Sequence, residues 1–144
     1  MIRISHTHLD QINTLAQGVY PGECCGLLVG RVETNGSITV TRIVPSANVA
    51  DPPGNDRFEV SPKVRFDLMR ELSGTPQTII GHYHSHPDQA AEPSATDLSM
   101  AFEPDLIWLI TAVASGRAGQ TRAWRLNRET GAIQAVTMRI SEST

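Results

Sequence analysis

The spacing of apolar residues along the chain predicts two amphipathic helices. The first begins at His8 and ends before Pro21-Gly22. The second has Ser61 as its N-cap and Pro62 at its first position, and it ends at Gly74. Apolar residues recur at helical spacing in both: Leu9, Ile12, Leu15 and Val19 in the first, and Val64, Leu68 and Leu72 in the second. Each helix therefore has one apolar face to bury.

Short apolar runs bounded by turn residues predict the strands of a mixed sheet. These runs are residues 2–5, 24–29, 37–44, 77–83, 106–113, 121–126 and 133–140. Asn35-Gly36 is a strong hairpin signal between the second and third runs, and a short third helix is expected near Ser94. This order predicts an α/β fold, a sandwich whose mixed sheet is flanked by helices. For a chain of 144 residues, one core and one domain over 1–144 are sufficient.

The charge balance excludes several classes of partner. The net charge is -3 and Lys and Arg form no cluster, so we expect no affinity for nucleic acid or anionic lipid driven by phosphate contacts. No segment approaches the roughly 20 apolar residues of a membrane span, and the first residues lack the pattern of a leader peptide. We therefore expect a cytoplasmic protein. Cys24 and Cys25 agree with this, because adjacent cysteines are more typical of buried thiols in a reducing compartment than of a disulfide.

Three of the five histidines lie in the stretch GHYHSHP, residues 81–87. Because side chains alternate between the two faces of a strand, His84 and His86 are expected to project from the same face. Asp97 follows in the first turn of the predicted third helix, so a loop can bring its carboxylate back to the two imidazoles. Three nitrogen or oxygen ligands are the number with which a catalytic zinc site keeps one coordination position open.

Two further residues are candidates for the chemistry. Glu23 stands at the start of an otherwise apolar strand and is the candidate acid/base that takes up a proton and passes it on. The alternative for Glu23 is an ordinary exposed acid after a Pro-Gly turn. Ser94 is a candidate hydrogen-bond donor to an oxyanion, although Ser94-x-x-Asp97 taken alone is also typical of a helix cap. Catalysis by Cys24 or Cys25 lacks an identifiable activating partner.

Taken together, Glu23, the run His84-Ser85-His86-Pro87 and Ser94-x-x-Asp97 resemble the JAMM metalloprotease motif of the MPN domain, the fold of certain deubiquitinases and of their prokaryotic relatives. The resemblance covers nearly the whole chain and implies one JAMM/MPN+ domain over residues 1–144, with a cytidine-deaminase-like sandwich fold. It also implies that His84, His86 and Asp97 hold one catalytic zinc ion. Glu23 would then be the general acid/base, and Ser94 would support the tetrahedral intermediate.

The context of Glu23 and the loop 48–58 look most like the small bacterial branch of that family. Members of this branch resemble peptidases that trim the C-terminal tails of sulfur-carrier proteins, one type releasing cysteine. The resemblance therefore implies a zinc-dependent peptidase or isopeptidase that hydrolyses the amide bond after the C-terminal Gly-Gly of a ubiquitin-like sulfur carrier. Substrate choice is expected to depend on the loops 48–58 and 88–92.

Several alternatives stay open at this point. One is a non-catalytic MPN scaffold that uses the fold only for protein contacts, and another is a JAMM-type hydrolase for a different amide. The motifs also resemble bacterial proteins associated with DNA repair, a reading that the acidic charge balance disfavours. Pairing of the chain with a second copy is open as well. So is the role of His82, which has the same strand parity as the two proposed ligands.

Overall fold

The computed structural model describes residues 1–52, 54, 56–99 and 106–142, so Pro53 and Asn55 of the predicted loop 48–58 lie outside it. The strands are β1 (Ile2–Ser5), β2 (Cys25–Val32), β3 (Ile38–Ser46), β4 (Thr78–Pro87), β5 (Ile107–Ala114), β6 (Arg117–Leu126), β7 (Ile133–Val136) and β8 (Met138–Ser141). The helices are α1 (His6–Val19), α2 (Pro62–Leu72) and α3 (Ala95–Ser99). The predicted α/β class with a mixed sheet is confirmed.

All eight of these strands form one sheet, in the order β7-β6-β5-β4-β2-β3-β1-β8. β1 pairs in parallel with β3 and β8, and β4 pairs in parallel with β5, whereas the remaining pairs are antiparallel. The edge strands β7 and β8 are consecutive in sequence with only Thr137 between them, so the sheet curls until its two edges approach each other. The prediction of one strand over 133–140 is therefore wrong, because the chain passes from one edge to the other at Thr137.

The two longer helices pack on different sets of strand side chains. α1 begins at His6 rather than His8, since the Ser5 hydroxyl caps it by accepting the N–H of His8 at 3.1 Å. Its buried residues Ile12 and Ala16 join the main core. Buried strand residues of this core are Ile2, Ile4, Leu28, Ile38, Val40, Ile43, Ile80, Tyr83, Ile107, Leu109, Val113 and Ala123.

α2 starts as predicted, with Ser61 as its N-cap and Pro62 in its first turn. Its buried Leu68 packs with Leu27 and Val29 in a second, smaller apolar cluster. Alternate residues of β2 thus pack into the two clusters. This explains why the strand is apolar on both faces.

β4 is longer than predicted, because its pairing continues beyond Tyr83 through the histidines. It lies between β2 and β5, with Cys25 opposite His84 and Ala112 opposite His86. The histidine segment is therefore held on both sides near the centre of the sheet. In the described part of the chain, no helix has the length and apolar character needed to cross a bilayer.

Candidate metal and catalytic site

The three predicted metal ligands converge at the end of β4. Oδ2 of Asp97 lies 3.2 Å from Nε2 of His84 and 2.9 Å from Nε2 of His86. All three side chains are buried. Strand alternation brings the two imidazoles together, and the return of the chain into α3 supplies the carboxylate.

Asp97 is held as a carboxylate by its neighbours. Burial by itself raises the pKa of this group, but its hydrogen bonds with His84 and His86 and the N–H of Ser94 outweigh burial and hold the pKa well below its ordinary value. An ionised oxygen that faces two ring nitrogens is suited to a cation.

The hydrogen-bond pattern of His86 directs one nitrogen at this centre. Its Nδ1 lies 2.9 Å from the carbonyl oxygen of Ala90, which can only accept, so Nδ1 carries the hydrogen. Nε2 of His86 then faces Oδ2 of Asp97, and two lone pairs meet there unless a proton or a metal ion lies between them. Burial lowers the pKa of His86, but the hydrogen bonds with Asp97 and Ala90 raise it above its ordinary value, which favours a proton in this position in the absence of a metal ion.

The ring of Phe58 covers His84. The two ring centroids are 4.1 Å apart and the rings are stacked, with an interplanar angle of 17°. Burial lowers the pKa of His84, more than its bond with Asp97 raises it, so this imidazole is held neutral. Phe58 belongs to the loop 48–58, which therefore forms part of the wall of the site.

Glu23 lies beside the histidines and is buried, so its reading as an exposed acid is wrong. One carboxylate oxygen of Glu23 and one ring nitrogen each of His84 and His86 lie within 4.8 Å of one another. Oε1 of Glu23 is buried and makes no hydrogen bond with the described residues. Burial, aided by the charges of Asp97 and Asp56, raises the pKa of Glu23 to about 8 against the opposing effect of His86.

Ser85 and Asn48 hold Glu23 in place through the backbone. The Ser85 hydroxyl accepts the N–H of Cys24 at 2.8 Å, and the Ser85 N–H donates to the Cys24 carbonyl at 3.2 Å. The Asn48 side chain donates to the carbonyl of Glu23 at 3.3 Å. Neither role was predicted from the sequence. The only signal for Ser85 was its odd parity, which points it away from His84 and His86.

Ser94 caps α3, as the helix-cap interpretation predicted. Its Oγ accepts the N–H of Asp97 at 3.0 Å, and its own N–H donates to Oδ2 of Asp97 at 2.9 Å. This reciprocal arrangement is a capping box with Asp in the place of Glu or Gln. It fixes the carboxylate that faces the histidines, whereas support of an oxyanion by Ser94 stays a prediction.

The cysteines are free and buried, as predicted. Burial raises the pKa of the Cys24 thiol and raises that of Cys25 to about 12, so both thiols are protonated and unsuited to nucleophilic catalysis. His82 lies between the rings of Phe58 and Trp108, at centroid distances of 5.3 and 5.4 Å. Burial lowers the pKa of His82 to about 3, so its ring is neutral.

Comparison with known proteins shows the family of the chain. Residues 5–127 match the family model described as prokaryotic homologs of the JAB domain. The desampylase of Haloferax volcanii is 35% identical over 95 residues, which are 66% of this chain and 66% of that protein. The CysO-cysteine peptidase of Mycobacterium tuberculosis is 27% identical over 120 residues, 81% of this chain and 79% of that protein.

A solved structure shows the same fold. The solution structure of protein DSY2949 from Desulfitobacterium hafniense covers 99% of this chain and 94% of its own, with a TM-score of 0.84 and 24% identity. This likeness shows the fold alone, whereas the family match, which spans most of the chain, shows the family. The protein belongs to the prokaryotic JAB-domain family and is a hydrolase of the JAMM type.

Proposed function

We propose that this protein is a zinc-dependent peptidase or isopeptidase that hydrolyses the amide bond after the C-terminal Gly-Gly of a ubiquitin-like sulfur-carrier protein. One observation carries the proposal: two imidazoles and an ionised carboxylate converge beside a second buried carboxyl group, that of Glu23, whose Oε1 makes no hydrogen bond with the described residues. The names of two relatives, desampylase and CysO-cysteine peptidase, support the substrate class.

His84, His86 and Asp97 are the proposed zinc ligands. Two neutral imidazoles and one carboxylate are a donor set typical of zinc, although iron or cobalt can bind to nitrogen and oxygen ligands of this kind. The hydrogen bond from Nδ1 of His86 to Ala90 leaves Nε2 as the ligand atom. Bound zinc would polarise the substrate carbonyl and lower the pKa of a bound water to about 7.

Glu23 is the proposed general acid/base. Its carboxylate accepts the proton of the attacking water and returns it to the leaving amine. A pKa of about 8 belongs to the metal-free protein, and a cation beside the histidines lowers it, which makes the carboxylate available at neutral pH. Ser94 is the proposed hydrogen-bond donor to the oxyanion, because its hydroxyl lies next to the Asp97 backbone at the same centre.

The test is intact-mass analysis of a carrier protein that ends in Gly-Gly followed by an amide-linked cysteine. With the zinc-loaded protein we expect loss of the added residue. Glu23→Gln should keep zinc while turnover falls by about 10²–10⁴-fold. Glu129→Gln makes the same change at an exposed turn and should leave turnover unaltered.

Two results would contradict the proposal. Wild-type turnover by Glu23→Gln would remove Glu23 from the chemistry. An unchanged mass with the zinc-loaded wild type, for this carrier and for carriers extended by other amide-linked residues, would favour the scaffold alternative.

A further inference from the structure

We propose that Trp124 is a positioning residue, which orients His86 toward the metal through the backbone of residues 88–93. This segment, here called the strap, connects β4 to α3. The inference rests on the metal site of the proposed function, but it concerns the affinity and geometry of that site rather than the substrate.

Two consecutive carbonyl groups of the strap connect the indole to the imidazole. Nε1 of Trp124 donates to the carbonyl of Ala91 at 3.0 Å. The preceding carbonyl, that of Ala90, accepts the hydrogen of His86 Nδ1 at 2.9 Å. The two carbonyls belong to adjacent planar peptide groups that meet at the Cα of Ala91. Once the Ala91 carbonyl is fixed, only the φ and ψ angles of Ala91 are left to turn the group that holds His86. Ala91 is itself buried, so the strap is pressed against the protein at this point.

The indole and the imidazole share one rigid support. Trp124 lies on β6 opposite Trp108 of β5, and β5 pairs in turn with β4, where Ala112 lies opposite His86. The guanidinium of Arg122 covers the indole at 4.5 Å from the ring centroid and also contacts Glu92 of the strap at 3.3 Å. The indole N–H of Trp124 therefore reaches the strap from the same sheet that carries His86.

The first residue of the strap is anchored independently of Trp124. Asp88 has φ 56°, and its N–H donates to the Val113 carbonyl at 2.6 Å. Its carboxylate accepts the N–H of Ser115 at 2.9 Å and the hydroxyl of Tyr20 at 2.5 Å. Removing the indole N–H should therefore loosen the strap near Ala90 and Ala91 without releasing its beginning.

The consequence falls on the ligand atom of His86. The hydrogen bond from Nδ1 keeps the lone pair on Nε2 and sets the angle of the ring. Groups that bond directly to a ligating histidine typically change metal affinity by about 10–100-fold when removed. Trp124 acts one peptide group further away, so we expect an effect at the lower end of this range.

The experiment compares wild type with Trp124→Phe, which keeps an aromatic ring and removes the N–H. Zinc affinity is measured by competition with a chromogenic chelator, and the visible absorption spectrum of the Co²⁺-loaded protein reports the ligand geometry without reference to activity. We expect zinc binding to weaken about tenfold and the Co²⁺ spectrum to shift. Position 124 can also carry 3-benzothienylalanine, which keeps the shape of indole and lacks the N–H, should Trp124→Phe fold poorly.

Arg122→Gln is the matched control, since it removes the cation over the ring and the contact with Glu92 but keeps the indole N–H. We expect its zinc affinity to stay within about twofold of wild type. Wild-type affinity and an unshifted Co²⁺ spectrum in both position-124 variants would overturn the proposal. An equal loss in Arg122→Gln would also overturn it, because the effect would then not depend on the N–H. Zinc binding that responds as expected in a protein that cleaves no carrier would leave this inference standing and reject only the proposed function.

Discussion

Two buried carboxyl groups lie beside the same pair of histidines, and their surroundings are opposite. Asp97 and Glu23 are 4% and 3% exposed, so both have lost nearly all contact with water. In Asp97, hydrogen bonds with His84, His86 and the N–H of Ser94 replace the lost contacts with water. Oε1 of Glu23 has no such bond with the described residues. Accordingly the pKa of Asp97 falls below its ordinary value, whereas burial raises that of Glu23 to about 8.

This difference suits the two groups to the two roles proposed for them. A metal ligand must stay ionised, which requires the hydrogen bonds that surround Asp97. An acid/base must gain and lose a proton near neutral pH, which requires a group whose two states are close in free energy. Equal burial therefore does not predict equal function, since the number of hydrogen-bond partners decides which carboxyl group can change its charge.

Removing Asp97, the carboxyl group with hydrogen-bond partners, should have the largest effect on zinc affinity and turnover. Asp97→Ala deletes the carboxylate oxygen that faces both His84 and His86. We expect zinc affinity to fall by at least about a hundredfold and turnover to be lost. Metal content of the purified protein, measured by mass spectrometry, checks this.

Asp67→Ala is the control for that change, because Asp67 is an exposed carboxylate paired with Lys63 on α2. It should retain zinc at the wild-type level. Equimolar zinc in Asp97→Ala would show that Glu23 and the histidines suffice as ligands, and the two carboxyl groups would have to exchange roles.

Replacing Glu23, the carboxyl group whose Oε1 lacks a partner among the described residues, should change how the free energy of unfolding depends on pH. The pKa of Glu23 rises from 4.5 in the unfolded chain to about 8 in the folded protein, so its stabilising contribution is complete below pH 4.5 and is lost as the pH rises toward 8. Glu23→Gln is always neutral and avoids this loss. The metal-free variant should therefore gain stability over wild type as the pH rises from 5 to 8, by about 3–4 kcal/mol.

Urea unfolding at both pH values in the presence of a chelator measures this gap. Asp97 does not contribute to the change, since its pKa is lowered and its stabilising effect is lost only in acid, below its ordinary titration range. A gap between Glu23→Gln and wild type that is constant with pH would show that Glu23 is already compensated in the folded state.

The Asp97 side of this comparison could be predicted from the sequence, because it depends on local rules. Alternation along a strand places His84 and His86 on one face, and Asp97 follows Ser94 by three positions at a helix start. The burial of Glu23 could not be predicted in this way. It follows from the pairing of Cys24 with Ser85, 61 residues away, for which no short pattern exists.

The same limit explains the errors in the strands. Residues 133–140 contain no Gly, Pro, Asn or Asp to mark an interruption, so one strand was predicted. The break at Thr137 arises because the curled sheet brings its two edges together, which is a property of all eight strands. The bond from Trp124 to Ala91 likewise joins residues 33 positions apart and has no local signal.

A smaller change removes one of the hydrogen bonds that hold Asp97. Ser94→Ala deletes the acceptor for the N–H of Asp97, and loss of such a cap costs about 1 kcal/mol of stability. If Ser94 also donates to the oxyanion, turnover should fall by a further factor of about ten or more while zinc affinity changes little. Ser94→Thr keeps the hydroxyl and should restore both stability and turnover. Turnover that stays at the wild-type level in Ser94→Ala would limit Ser94 to capping α3, and the oxyanion would then depend on the metal alone.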